Sequence, residues 1–159
     1  MGQAEAFEIF FGEAEPLVRR ALVSRFGAEL GRDATAEGFA VAWRSWERVA
    51  EMENRSGYVY RTGERWATRQ RSRTSTRGSD FAVTESTMTE EDRYADHELA
   101  HALSQLSPRQ RQAVVLVAGF GMTHREAAEL LGCARSSIQN HVERAMSRLR
   151  KDLEVTDNA

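Results

Sequence analysis

Apolar residues recur along this chain at intervals of three and four positions, the spacing of amphipathic helices, and no alternating strand pattern competes with them. The first such run extends from Phe7 to Leu22, with Pro16 either kinking its helix or starting a new one. A second helix carries a largely aromatic stripe: Phe39, Ala42, Trp43, Trp46 and Ala50. The pattern therefore predicts an all-α fold.

A third helix is predicted after the polar turn at Asn54 and Arg55, with Ser56 as its N-cap. We expect both Trp46 and Trp66 to be core residues, because their spacing places them on the apolar faces of their helices. Three helices of this kind can bury those faces against one another. The first part of the chain is therefore predicted to be a small helical bundle.

A stretch rich in Ser, Thr, Gly and acidic residues separates these helices from a second helical segment. It extends from Arg73 to about Asp96, contains few apolar residues and is interpreted as a flexible acidic linker. A fresh apolar stripe begins directly beyond it. The sequence thus predicts two small helical domains, residues 1–77 and 99–159, joined by a linker over residues 78–98.

The second segment contains the signals of a helix-turn-helix. Ser107 and Pro108 are an N-cap and first-turn signal, Thr123 and Glu126 match the capping box of a later helix, and Gly132 suits the left-handed turn that ends it. The helix that follows has a polar outer face: Arg135, Ser136, Gln139, Asn140, Glu143 and Arg144. Because Arg, Gln and Asn pair with base edges in the major groove, the pattern favours a DNA-reading unit over a plain hairpin with a solvated face.

Charge is unevenly distributed, although the formal net charge is only −2. Residues 61–79 hold six basic groups and one acidic group, whereas residues 80–98 hold one basic and seven acidic groups. Of the 22 cationic side chains 21 are arginine, which combines bidentate phosphate contact with stacking. The basic stretch has an arginine every four residues and Arg71 beside them: Arg61, Arg65, Arg69, Arg73 and Arg77. Such a row suits the phosphates of nucleic acid.

The second segment has four motifs in a defined order: Ser107–Arg111, Met122–Gly132, Ser137–Ile138 and Arg144–Arg150. Together they resemble the promoter minus-35 reading region of extracytoplasmic-function sigma factors, a group of the sigma-70 family. In the first segment, Asp33–Phe39 followed by Ala42–Arg44 is similar to that family's polymerase-binding helix. Tyr58–Arg61, with the arginines after it, resembles the family's minus-10 element.

The resemblance implies three sets of functional residues. Contacts with core RNA polymerase are expected from Asp33, Glu37, Phe39, Trp43 and Arg44. Contacts with minus-10 DNA are expected from Asn54, Arg55, Ser56, Arg61, Arg65, Arg69, Arg71 and Arg73. Contacts with minus-35 DNA are expected from Arg125, Arg135, Ser136, Ser137, Gln139, Asn140, His141 and Arg144. The chain departs from the family at Ala36, which replaces a usual Gln, and at Gln139 and His141, which replace basic residues and predict an unusual promoter preference.

The function implied by the resemblance is that of an alternative sigma factor, which directs promoter recognition and transcription initiation. Its expected partners are core RNA polymerase, promoter DNA and an inhibitory anti-sigma factor. A cytoplasmic location without membrane insertion is expected, because no apolar run approaches the roughly 20 residues that cross a bilayer and no secretory signal opens the chain. The alternative is a helix-turn-helix regulator that binds duplex DNA without polymerase.

One motif points to a different chemistry. Residues 97–101 match the H-E-x-x-H pattern of zinc peptidases. The apolar positions Leu99 and Leu103 are expected to face inward, which turns both histidines toward solvent, and no third ligand is evident. Cys133 is the single cysteine, so a cysteine-rich zinc site is excluded. We therefore expect a protein without catalytic activity, small-molecule substrate, cofactor or bound metal.

Overall fold

The computed structural model describes residues 1–74 and 90–157, with side chains for residues 1–73 and 97–154. Regular structure in these ranges is entirely helical, which confirms the predicted all-α class. The helices are α1 (Gln3–Phe26), α2 (Ala28–Arg44), α3 (Trp46–Ala50), α4 (Arg55–Thr74), α5 (Glu90–Ser104), α6 (Pro108–Val114), α7 (His124–Leu131) and α8 (Arg135–Asp157). A single π-helical segment, Val115–Gly119, follows α6. None of the described helices is both long and apolar enough to span a membrane.

Two N-terminal elements differ in detail from the prediction. Pro16 lies inside α1, which continues through it to Phe26, so it neither starts a second helix nor ends the first. The aromatic stripe is divided between two helices, because α2 ends at Arg44 and α3 begins at Trp46. Trp43, in the last turn of α2, is half exposed, whereas Trp46, the first residue of α3, is buried in the core.

An aromatic cluster fills one end of the N-terminal core. The Trp46 ring centroid lies 5.1 Å from that of Phe7 and 5.4 Å from that of Phe10, and Trp46 is only 4% exposed. Trp66 is half-buried and packs against the same core. The expected core position is therefore confirmed for Trp46 and holds in part for Trp66.

Glycines let α2 approach α4 closely. A Cβ on Gly63 would stand 2.7 Å from the carbonyl oxygen of Ala34 and 2.8 Å from Cδ1 of Leu22. A Cβ on Gly38 would stand 2.7 Å from the carbonyl oxygen of Val59. Since the backbones themselves are in the way, these positions have no room for a side chain.

Replacing Gly63 with alanine is expected to lower the free energy of unfolding by about 2 kcal/mol, because the clash with the backbone of α2 outweighs the better helix propensity of alanine. Gly12 of α1 is a matched control, since no atom lies within 4 Å of the position that a Cβ on Gly12 would take. Gly12→Ala is expected to raise stability by up to about 1 kcal/mol. Urea denaturation followed by circular dichroism measures the free energy of unfolding of both variants. Equal changes in the two variants would contradict the close approach of α2 and α4.

Local signals determine the helix ends of the C-terminal half as predicted. Ser107 Oγ accepts a hydrogen bond from the Gln110 amide at 3.2 Å, and Thr123 Oγ1 accepts one from the Glu126 amide at 3.1 Å. Both are reciprocal capping boxes. Gly132 ends α7 in the left-handed conformation, with φ 68° and ψ 39°. The helix-turn-helix inferred from these residues is thus present as α7, its turn and α8.

The predicted linker, residues 78–98, is described only in part. Its residues 78–89, and Arg77 before them, lie outside the described part of the chain. Helix α5 begins at Glu90, nine residues before the predicted start of the second domain at Leu99. The apolar stripe that begins at Leu99 is therefore only the C-terminal part of a longer helix.

The two halves predicted as domains pack against each other. One apolar cluster contains the N-terminal core together with side chains from the second half: Ala113, Leu116, Met122, Ala127, Ala128, Leu130, Leu131 and Ile138. A smaller cluster joins α5, α6 and α8. The α7 helix contacts α4, and α1 contacts α6 and the π-helical segment. In this structure the two halves therefore share one continuous apolar core.

Candidate nucleic-acid and protein interfaces

The outer face of α8 is the surface that the sequence predicts to read DNA. Buried Ile138, Ala145 and Leu149 fix the inner face of the helix. Ser137 and His141 are half-buried at the edge between the two faces. The other predicted contacts on α8 are exposed: Arg135, Ser136, Gln139, Asn140 and Arg144. They form one polar surface along the N-terminal part of the helix, where a recognition helix meets base edges.

Helix α7 and its turn support this surface. Arg125 is exposed and pairs with Glu129 at 3.5 Å, an ion pair in solvent that contributes little to stability and leaves the guanidinium accessible to a phosphate. Cys133 lies in the turn, where burial raises the pKa of its thiol. At neutral pH the thiol therefore stays protonated and acts as a small packing residue rather than a nucleophile.

The arginine row lies on α4. Arg61, Arg65, Arg69 and Arg73 are exposed. The single acidic residue of α4, Glu64, forms an ion pair with Arg25 of α1, so it does not neutralise the row. The exposed guanidinium groups thus give one side of α4 a positive potential that attracts phosphates.

Arg71 differs from the other arginines of α4. Its guanidinium carbon lies 4.7 Å from the ring centroid of Phe26, and its Nη2 donates a hydrogen bond to the carbonyl oxygen of Arg25 at 3.3 Å. It is half-buried. Arg71 was predicted to contact DNA with the row, but in the structure it joins the end of α1 to α4.

The loop before α4 also departs from the prediction. The Gly57 amide donates to Asn54 Oδ1 at 2.9 Å, so Asn54 is the N-cap of α4 and the predicted Ser56 is not. Asn54 Nδ2 in turn donates to the carbonyl oxygen of Glu129 in α7, at 2.5 Å. Arg55 lies over the Phe10 ring, with its guanidinium carbon 5.5 Å from the centroid. Of the predicted loop residues, Asn54 therefore contacts α7 and Arg55 contacts α1.

The predicted polymerase-binding residues of α2 fall into an exposed set and a buried one. Trp43 is 47% exposed, Asp33 and Arg44 are exposed, and Arg44 lies 3.7 Å from Glu37. Phe39 is only 4% exposed and belongs to the core. Its ring packs against α1 in this structure, so the predicted contact of Phe39 with polymerase stays a prediction that this conformation does not present at the surface.

The sequence analysis missed two exposed apolar residues of α1, of which Phe11 lies near Trp43. Ile9 and Phe11 of α1 are 51% and 43% exposed. The Phe11 ring centroid lies 4.8 Å from that of Phe39, and Phe7 joins it to Trp43 with a centroid distance of 5.0 Å. The signal was the width of the apolar run in α1, which includes more positions than one buried helix face can use. We call Phe11 and Trp43 the aromatic surface.

Tyr60 lies in the minus-10 motif but is buried. It is 2% exposed, and its hydroxyl forms a hydrogen bond with the side-chain amide of Gln112 in α6. Burial, with a smaller contribution from Glu64, raises the pKa of Tyr60 to about 12. Tyr60 therefore connects the two halves rather than facing DNA.

The raised pKa of Tyr60 predicts a loss of stability at high pH. Because an unfolded tyrosine ionises near pH 10 and the folded one near 12, the unfolded chain binds fewer protons between these values. Stability from this group is complete below pH 10 and is expected to fall by about 2 to 3 kcal/mol as the pH rises to 12. Urea denaturation at pH 9, 10 and 11 measures the slope. Tyr60→Phe is expected to reduce this dependence of stability on pH. An unchanged slope in the variant would mean that other groups cause the loss of stability.

The H-E-x-x-H residues are part of α5. His97 and His101 are both exposed, as expected, and Leu103 is buried. Leu99 is 42% exposed, so its expected inward orientation is wrong. Among the described residues, no group of three or more His, Cys, Asp or Glu side chains could hold a metal ion. The motif therefore lies on an open helix surface without the further ligands of a zinc site in the described part of the chain.

Known sequences match most of this chain. The family model for Sigma-70, region 4 matches residues 96–149, which include α6, α7 and most of α8. An RNA polymerase sigma-E factor of Streptomyces antibioticus is 30% identical over 132 residues, covering 79% of this chain and 72% of the relative. An RNA polymerase sigma-E factor of Streptomyces avermitilis is 28% identical over 151 residues, covering 91% of this chain and 73% of the relative.

Two solved structures have the same fold across both halves of the chain. The sigma factor RpoE in complex with the anti-sigma factor NepR, from Bartonella quintana, has a TM-score of 0.61 at 23% identity, with 95% of this chain and 98% of that chain covered. CnrH in complex with the cytosolic domain of CnrY has a TM-score of 0.63 at 21% identity, with 97% and 91% covered. The fold is thus shared over nearly the full length of the described helices.

Proposed function

Because this chain belongs to the extracytoplasmic-function RNA polymerase sigma factors, we propose that it joins core RNA polymerase and directs it to promoters through the outer face of α8. The observation that carries this proposal is the exposed polar surface of α8. This helix follows α7, which is capped at both ends, and the inner faces of both helices are buried. A helix of this kind fits the major groove, where Arg, Gln and Asn distinguish base pairs. Transcription takes place in the cytoplasm of bacteria, and the protein acts there.

The other surfaces bind core polymerase and minus-10 DNA. The aromatic surface and the Glu37–Arg44 pair bind core polymerase, since exposed aromatic side chains with charged neighbours are typical of protein interfaces. The exposed arginines of α4 hold the phosphates of minus-10 DNA, and Asn54 and Arg55 contact its bases near the strand opening. The reading surface of α8 binds minus-35 DNA as a duplex.

An anti-sigma factor is the expected inhibitor. Of the two solved structures of the same fold, the first contains the anti-sigma factor NepR and the second contains the cytosolic domain of CnrY as the bound partner. The aromatic surface of this chain offers apolar area that such a protein can cover. Inhibition then follows because polymerase and the inhibitor compete for the same residues.

The test is reconstitution with purified core RNA polymerase. Transcription start sites are mapped on genomic fragments with and without the protein, and the expected result is a set of starts that share sequences near minus-10 and minus-35 and require both components. Binding to palindromic sites without polymerase, and no new start sites with it, would instead identify a stand-alone regulator. Replacing Asn140 with alanine is expected to remove these specific start sites. That result would assign the minus-35 contact to α8.

A further inference from the structure

A polar cleft lies between α1, α4 and α6, apart from the surfaces described above. It has a volume of about 190 Å³, and most of its lining is polar: Ser24, Arg25, Glu64, Arg109, Arg111 and Gln112. The Arg25 and Glu64 side chains are 40% and 29% exposed, so the cleft opens to solvent. None of these lining residues belongs to the sets proposed to bind DNA or core polymerase, and the cleft is therefore a separate feature.

The cleft is basic. Among the described residues that line it are three arginines and a single acid, Glu64, which gives a net charge of +2. Glu64 is already paired with Arg25, so no further acid of this lining balances Arg109 and Arg111. Between protein walls, charges of one sign reinforce one another and concentrate ions of the opposite sign. The lining therefore attracts an anion.

Two of the three guanidinium groups are held in place by contacts inside the chain. Arg111 donates from Nε to the carbonyl oxygen of Leu103 at 3.1 Å and from Nη2 to that of Leu106 at 3.3 Å. A guanidinium group has five N–H donors, so others remain for a ligand. The guanidinium carbon of Arg25 lies 4.9 Å from the ring centroid of Phe26. Because these donors are already positioned, a ligand loses less entropy on binding them.

Arg109 of α6 is the most accessible cation of the cleft. It is exposed, and it forms no hydrogen bond or ion pair with any other residue that the structure describes. Its side chain is therefore available to a ligand without the loss of an existing contact. A guanidinium group matches two oxygens of a phosphate group, which makes arginine a preferred phosphate ligand.

The size of the cleft selects a small anion. At about 30 Å³ per water molecule, its volume corresponds to about six waters. This is room for a phosphate group and much of a second one, but not for a complete nucleotide. Pockets for drug-sized apolar ligands are larger, about 300 Å³ or more, and are lined mainly by apolar side chains. A pyrophosphate group fits better than an apolar ligand, because its two phosphoryl units can contact two arginines at once.

We propose that this cleft binds a pyrophosphate group, either as free pyrophosphate or as the diphosphate of a nucleotide whose sugar and base stay outside the opening. Arg25, Arg109 and Arg111 hold its oxygens. Since Arg25 belongs to α1 and the other two arginines to α6, the ligand contacts both halves of the folded chain and stabilises it. This inference goes beyond the proposed function and does not rest on it, because binding is measured on the protein alone.

The first test is a calorimetric titration of the full-length protein with sodium pyrophosphate, at fixed ionic strength and without divalent cations. One site per chain is expected. Arg109→Ala should weaken binding by about ten- to a hundredfold, because it removes a charge-assisted contact made by an exposed side chain. Arg148→Ala removes an exposed arginine of α8 outside the cleft and should leave the affinity within twofold of the wild type. No binding by the wild type, or equal losses in the two variants, would overturn the proposal.

A second variant tests the sign of the charge in the cleft. Glu64→Gln removes the one acid of the described lining and is expected to raise the affinity for pyrophosphate about tenfold. A lower affinity in a folded variant would contradict an anion site, and circular dichroism checks that the loss of the pair with Arg25 leaves the fold intact. If this variant does not fold, the comparison of Arg109→Ala with Arg148→Ala decides.

The unaltered chain provides a further measurement. Pyrophosphate at about a hundred times its Kd should raise the Tm by about 5 to 10 °C over sodium chloride of the same ionic strength. The Arg109→Ala protein should show a smaller rise at the same concentration, and an equal rise in both proteins would argue against the cleft as the site.

Titration with ADP distinguishes the two sources of the pyrophosphate group. ADP that competes with pyrophosphate at an affinity within about tenfold identifies the diphosphate of a nucleotide as a ligand of the cleft. Binding of pyrophosphate with much weaker binding of ADP identifies the free anion, because the sugar and base then obstruct entry. Binding of neither compound refutes the site. Failure of the proposed function is seen separately, as the absence of promoter-specific transcription with core polymerase.

Discussion

Replacing Trp43 with alanine is expected to weaken binding to core RNA polymerase by roughly 30- to 1,000-fold, or about 2 to 4 kcal/mol. Trp43 is 47% exposed at the C-terminal end of α2, with its ring centroid 5.0 Å from that of Phe7 and with the Glu37–Arg44 pair beginning in the same helix and ending at the next residue. A large aromatic side chain surrounded by apolar and charged neighbours has the features of a binding hot spot. Because half of its surface is already in water, its removal costs the free protein little stability.

The measurement for Trp43→Ala is a titration of fluorescently labelled protein with core polymerase, together with its thermal unfolding temperature. Leu99→Ala is a suitable control, since Leu99 is an exposed apolar residue of α5, 42% accessible, outside the aromatic surface. It is expected to leave polymerase affinity within twofold of the wild type. Equal losses in the two variants, or a large drop in the unfolding temperature of Trp43→Ala, would contradict a direct contact by Trp43.

The sequence predicted best those features that neighbouring residues determine. The capping boxes at Ser107 and Thr123 and the left-handed Gly132 are formed by residues within a few positions of one another. Each satisfies backbone groups at a helix end, so its signal can be read locally. The helix-turn-helix and the outer face of α8 follow from these boundaries, and for that reason the predicted reading residues lie on one surface.

The features that the sequence did not predict depend on contacts between distant residues. Phe39 and Trp43 lie four residues apart in α2, but Phe39 is 4% and Trp43 47% exposed, because the aromatic rings of α1 pack over Phe39 and leave half of Trp43 in solvent. Arg71 looks like a member of the arginine row, but the end of α1 brings Phe26 beneath it. The pairing of Tyr60 with Gln112 joins residues 52 positions apart and has no local signal at all. Long-range packing therefore decides which members of a recognisable motif face a partner.

Reversing the charge of Arg135 is expected to reduce affinity for a minus-35 duplex by roughly 100- to 1,000-fold. Arg135 is the first residue of α8 and is exposed, in the part of a recognition helix that reaches base edges. Arg135→Glu removes a contact worth about 1 to 3 kcal/mol and places a negative charge against the phosphates, which adds repulsion. A fluorescence anisotropy titration with the duplex from a mapped promoter, at fixed salt, measures the loss.

Arg148→Glu is the control that makes this result specific. Arg148 lies on the same helix about 20 Å beyond Arg135, at about 1.5 Å per residue, and is exposed where it pairs with Asp152 at 3.8 Å. Both substitutions change the net charge equally, so a loss caused by overall charge affects both variants alike. A loss confined to Arg135→Glu places the DNA at the N-terminal end of α8. Equal losses would mean that affinity for the duplex depends on the overall charge of the protein, and would contradict a specific contact by Arg135.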